Sequence, residues 1–132
     1  MNTKYFKGSS YTAAWYLGLI TGPGSGTTIA AADTLASHAG WTEFTNYSGN
    51  RKAVTFGTAT TADPSVIDNS GSPSQFSISG AGGVVAGAFL CSVSSGTSGT
   101  LFSASDFQSP GDRTVVSGDT LTVTYTFSLD AA

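Results

Sequence analysis

Eight carboxylates, one histidine and one cysteine are the chain's main resource for acid–base, nucleophilic or metal chemistry. The carboxylates are Asp33, Glu43, Asp63, Asp68, Asp106, Asp112, Asp119 and Asp130. General acid–base catalysis needs paired groups whose pKa values have been pushed apart. Most of these acids stand in turns, where Asp bonds to nearby backbone, and no two bracket a recognisable site. A triad can be written around His38, but no serine lies in a nucleophile-elbow pattern. With no second His and no Cys beside it, His38 lacks the company that a metal ligand keeps. Cys91 has no disulfide partner in the chain and lies in an apolar run, so it reads as a small buried hydrophobe. Asp63, Asp68 and Asp106 have oxygen chemistry suited to calcium if the fold gathers them, although the spaced-acid EF-hand loop is absent. Gly22, Gly24 and Gly26 follow a strand as a phosphate-cradling loop would, but no Lys-Ser/Thr pair follows and the spacing is not a dinucleotide fingerprint. The residues predict no enzyme, no cofactor and no metal.

Composition narrows the partners. The net charge is −3 with only five Lys and Arg, so there is no basic stripe to displace counterions from nucleic acid or to hold an anionic membrane surface. Charged residues make up 10% of the chain, against roughly a quarter in ordinary soluble domains. Such a surface suits contact with other protein better than isolation at high concentration.

The positioning elements read as strands. The uncharged run Val84–Val93 has apolar side chains at odd and even positions, as a strand buried on both faces does; it is the expected central strand. Tyr11–Ile20 is a second buried strand, with Trp15, Leu17 and Leu19 on one face and Ala14, Tyr16 and Ile20 on the other. It contains Tyr, Trp and Gly, and the small-residue run Ala30–Ala32 lies well beyond it, so a cleaved secretory leader is not expected. Shorter strands follow at Arg51–Phe56, Val66–Ile67, Gln75–Ser79, Thr100–Ser103 and Arg113–Val116. Thr120–Leu129 alternates throughout, with Leu121, Val123, Tyr125, Phe127 and Leu129 on the expected inner face and hydroxyls on the other.

About eight closely spaced strands predict an all-β fold, an antiparallel two-sheet β-sandwich or jelly roll. One short helix is expected at Ala30–Ala39, capped by Asp33 or Thr34, anchored by Leu35 and ended by Gly40. The chain, 1–132, reads as a single domain, with Met1–Ser10 as an N-terminal arm or short edge strand. Trp41, Phe44 and Tyr47 have two readings: packing of a long connection onto the core, or an exposed patch for a partner or sugar. With Tyr5 and Phe6 of the arm they are the candidate partner-binding residues.

Four blocks also resemble small structural proteins of tailed bacteriophages: Trp15–Ile20, Ala32–Glu43, Val84–Ser92 and Val115–Tyr125. They span most of the chain in order and are specific as a set, and they contain no catalytic signature. The resemblance implies a virion component made in the host cytoplasm. Within that class it implies a capsid decoration or cement protein on the capsid surface, binding the major capsid protein as a homo-oligomer. The alternative is a tail or head-fibre module that binds a host glycan or protein receptor.

Overall fold

A computed structural model describes residues 14–108 and 111–131. Tyr5, Phe6 and the arm Met1–Ser10 lie outside the described residues. The fold is all-β with antiparallel pairing throughout: β1 (Tyr16–Thr21), β2 (Glu43–Phe44), β3 (Lys52–Ala53), β4 (Ser65–Asp68), β5 (Ser74–Ser77), β6 (Gly83–Cys91), β7 (Leu101–Asp106), β8 (Arg113–Val115), β9 (Thr120–Val123) and β10 (Thr126–Leu129).

The uncharged run forms the central strand of a six-stranded sheet. β1 pairs with one edge of β6, and β7 and β8 share the other. β2 and β3 share the far edge of β1. Alternation then sends side chains to two clusters. Leu17 and Leu19 of β1 join one, and Ile20 the other. In β6 the parity changes part-way. Val85 and Leu90 lie in the first cluster, Phe89 and Cys91 in the second. The cause is a bulge: Ile20 pairs with Gly87 but Thr21 pairs with Val85, leaving Ala86 unmatched. Glycine lets the sheet close tightly here. A Cβ on Gly18 would enter the Phe89 ring, and one on Gly87 would strike the Ser105 carbonyl.

The first cluster also contains Phe76 of β5, Val123 of β9, and Ile78, so the ribbon β5–β9 covers one face of the six-stranded sheet. The bridge between Tyr47 and Ile78 ties the connection after β2 to this ribbon. The second cluster lies on the opposite face and is covered by Leu35 and Trp41.

The expected helix at Ala30–Ala39 does not form; the helical content of the described residues is a 3-10 turn at Gly24–Gly26. Residues 28–40 instead make a closed loop, with the Thr28 N–H bonded to the Gly40 carbonyl at 2.8 Å. The polar side chains that looked like caps satisfy the backbone locally. The Asp33 carboxylate accepts from the Ala30 N–H, and Thr34 Oγ1 accepts from the Ser37 N–H. This competes with helix formation, and Leu35 alone cannot supply an apolar helical face.

The continuous strand expected over Thr120–Leu129 is broken at Thr124–Tyr125. β9 pairs with β5 and β10 with β4, and a loop from Asn69 to Pro73 separates β4 from β5. The fully buried Asn69 stitches this break. Its Oδ1 accepts from the Tyr125 N–H at 2.8 Å, and its Nδ2 donates longer bonds to Ser74 Oγ and the Val123 carbonyl.

Candidate protein-docking surface

Seven of the eight carboxylates, all but Asp130, bond to the chain's own backbone and side chains. Asp33 accepts from Trp41 Nε1, Asp63 from the Ala131 N–H, Asp68 from Ser70, and Asp119 from the Val116 N–H. The Asp68 carboxyl is held below its ordinary value by the Ser70 hydroxyl and N–H. Asp106 and Asp112 grip the 3-10 turn, Asp106 through Thr27 Oγ1 and Asp112 through the Gly24 N–H. Asp63, Asp68 and Asp106, the calcium candidates, thus serve three separate places. Among the described residues no three His, Cys, Asp or Glu side chains gather around one point. His38 stacks on Trp41 with ring centroids 3.8 Å apart, and its Nδ1 faces the Trp41 carbonyl. Cys91 is buried, and burial pushes its thiol pKa up.

Among the described residues one ion pair is built into the fold. The buried Arg51 forks onto Glu43, Nε to Oε1 at 2.9 Å and Nη2 to Oε2 at 2.8 Å. Its Nη1 donates to the carbonyls of Val93 and Gly96. The bond to Glu43 raises the Arg51 pKa further. The guanidinium therefore ties β2 to the loop after β6, with every bond internal.

The aromatic cluster proposed from sequence is core. Trp41, Phe44 and Tyr47 are 5%, 4% and 7% exposed, so none offers a face to a sugar or partner. Trp41 packs on Phe89, and Tyr47 meets Phe76 edge-on. Burial, with Glu43 nearby, pushes the Tyr47 phenol up to about 12. Of the candidate partner-binding residues, these three are corrected to packing residues, and Tyr5 and Phe6 lie outside the described residues.

A different apolar surface is open. Phe102, Phe127 and Leu129 are 38%, 38% and 65% exposed. The two phenylalanine rings connect to the partly buried Trp15: its ring centroid lies 5.3 Å from that of Phe102, which lies 5.8 Å from that of Phe127. Leu129 continues the same face of β10, two residues beyond Phe127. Trp15 and Tyr125 border the inter-sheet cluster, so the row Trp15–Phe102–Phe127–Leu129 is the uncovered rim of that core. A shallow cleft of about 430 Å³, lined by Trp15, Val54 and Phe56 among others, adjoins it. The strand pattern placed Phe127 and Leu129 inside, and Phe102 drew no notice. The available signal is the Asp68-Asn69-Ser70-Gly71 turn, which splits the ladder partner of this segment into β4 and β5.

No helix among the described residues is long and apolar enough to cross a membrane. Comparison with family models, curated proteins and solved structures finds no match to this chain.

Proposed function

We propose that the chain is a structural protein of a tailed-bacteriophage virion, a capsid decoration or cement protein that binds the major capsid protein on the outside of the shell. It acts as a homo-oligomer and carries no catalytic chemistry, cofactor or nucleic-acid site. The observation that carries this reading is the exposed rim Trp15–Phe102–Phe127–Leu129 on a chain with 10% charged residues. An apolar row contiguous with the core is the kind of surface that another protein covers. The family resemblance of the sequence blocks supplies the setting.

Magnitudes favour a multicopy role. Covering the exposed parts of Phe102, Phe127 and Leu129 is worth about 3 kcal/mol in gross terms. Association costs at least that much in lost rigid-body freedom, so one rim contact does not hold a copy on the shell. Simultaneous contacts with neighbouring capsomers and with other copies raise the effective concentration and make weak contacts sufficient. A decoration protein works in this regime, tying capsomers together against the pressure of packaged DNA. The receptor-binding alternative loses its platform, because Trp41, Phe44 and Tyr47 are buried.

The test is the copy number of the protein in purified virions, by quantitative mass spectrometry against the major shell protein. A ratio of the same order is expected. A ratio many times lower assigns the chain to a tail or fibre, and absence from virions overturns the reading.

A further inference from the structure

We propose that the outward edge of β10 pairs with β10 of a second copy, antiparallel about a two-fold axis through Ser128. The inference rests on the reading of the rim as a protein interface and names the occupant of its β10 side.

Backbone directions follow from the bonds to β4. The Gly57 N–H donates to the Asp68 carbonyl at 2.8 Å and the Thr60 N–H to the Val66 carbonyl at 2.9 Å. The backbone groups of Val66 and Asp68 therefore face residues 57–60, and those of Ser65 and Ile67 face β10. The register pairs Ser65 with Leu129 and Ile67 with Phe127. Phe127 and Leu129 thus exchange bonds with β4, while the N–H and C=O of Thr126 and Ser128 point outward. The Asn69 N–H bond to the Tyr125 carbonyl continues the same alternation. Among the described residues β4 is the one ladder partner of β10.

That edge lacks the usual protection against pairing. The outer strands of the six-stranded sheet each carry a charge: Glu43 in β2, Lys52 in β3, Asp106 in β7 and Arg113 in β8. β10, Thr-Phe-Ser-Leu, has no charge, proline or bulge. A strand is the complement of an open edge, and three features select an identical strand. With the axis at Ser128, the two Ser128 residues exchange both of their outward bonds. Thr126 of each copy then opposes Asp130 of the other, so no carboxylate faces a carboxylate across the seam. Phe127 of each copy opposes Leu129 of the other, as close non-hydrogen-bonded pairs on the apolar face. The two-stranded ribbon β4–β10, a marginal unit alone, becomes the half of a four-stranded sheet, and the interface is isologous.

The register makes the test specific. A hydrogen-bonded antiparallel pair holds its Cα atoms about 5.5 Å apart, within disulfide range. The variant Ser128→Cys is expected to form an intermolecular disulfide on mild oxidation. Thr126→Cys, equally exposed on the same face, places the two thiols roughly 14 Å apart and is expected to form at least about tenfold less. The native Cys91 is buried and does not compete. Ser128→Pro removes an outward N–H without touching the β4 ladder; it is expected to be monomeric by sedimentation at roughly 100 μM, where the parent is a dimer, while keeping the parent's circular-dichroism spectrum and a cooperative unfolding transition. Equal cross-linking of the two cysteine variants, a parent that sediments as a monomer, or a dimer that survives Ser128→Pro each overturns the pairing. So does loss of the Ser128→Cys disulfide on removing residues 1–13, which would assign the edge to that segment. A monomer found in virions at shell-protein copy number overturns the pairing while leaving the decoration reading intact.

Discussion

Replacing Asn69 by Ala should loosen the join between the β4–β10 and β5–β9 ladders. Asn69 is fully buried and bridges the gap between the β4–β10 and β5–β9 ladders. Its Oδ1 is the acceptor for the Tyr125 N–H at 2.8 Å, and its Nδ2 bonds to Ser74 Oγ and the Val123 carbonyl are long, at 3.4 and 3.5 Å. Truncation removes one good hydrogen bond, worth about 1 kcal/mol, and two weak ones. It also leaves the Tyr125 N–H without its acceptor in a half-buried position, which costs roughly 1–2 kcal/mol more. The expected loss is about 3 kcal/mol, or a fall of about 10 °C in melting temperature for a chain of this size. Urea denaturation of Asn69→Ala against the parent measures it, with Ser74→Ala as a control that removes only one long bond. Asn69→Asp adds a signature that a simple cavity lacks. It keeps the acceptor but buries a carboxyl, so the folded-state pKa rises; stability is then retained below the unfolded value near ~4 and lost as pH rises above it. Asn69→Ala within about 0.5 kcal/mol of the parent, or Asn69→Asp equally stable at pH 4 and pH 7, would refute the stitching role.

Arg51→Ala should cost about 3 kcal/mol in thermal or urea denaturation, because it strands Glu43 and frees the Val93 and Gly96 carbonyls. Arg51→Lys should recover little of that, since a single ammonium cannot reproduce the fork; full recovery with Lys would show that charge alone matters there. For Tyr47 the folded-state phenol is raised to about 12, so its contribution is intact below pH ~10 and declines as pH rises from ~10 toward 12, by about 3 kcal/mol in total. The difference in urea midpoint between the parent and Tyr47→Phe should therefore change across that window, and a constant difference would contradict the assignment.

The two central strands were legible because their sequence overdetermines them. β6 has apolar residues at both parities and no charge, which fits a strand covered on both faces, and its β-branched and aromatic members and the preceding glycines favour strand over helix; β1 sorts Leu17 and Leu19 from Ile20 as its alternation requires. The bulge at Ala86 was invisible, because a run apolar at every position has no phase to lose. Ala30–Ala39 misled through its polar residues. Asp33 and Thr34 fit a helix cap, but the same side chains close local turns, and only the Trp41 indole bonding to Asp33 shows which role they take. For Trp41, Phe44 and Tyr47 packing was the favoured reading and exposure the alternative, since the cover comes from residues distant in sequence: Phe89 for Trp41, and Phe76 for Tyr47.

The tail of the chain supports a stronger inference. Leu121, Val123, Tyr125, Phe127 and Leu129 keep one apolar period across a break in the strand, yet Val123 is buried and Leu129 is mostly exposed. Folding of one copy covers little of Leu129 and leaves part of Phe127 open, and each exposed large hydrophobe adds to self-association. A chain with 10% charged residues has little means to offset that tendency. Among the described residues the adjoining backbone edge is likewise without a ladder partner, with the groups of Thr126 and Ser128 pointing outward. A side-chain row that favours contact and a backbone edge that favours pairing thus coincide on one short strand, while the outer strands of the six-stranded sheet carry charges. Under the proposed pairing, the period of Thr120–Leu129 describes burial in an assembly, with its first half covered by the domain itself and its second half by a neighbouring copy.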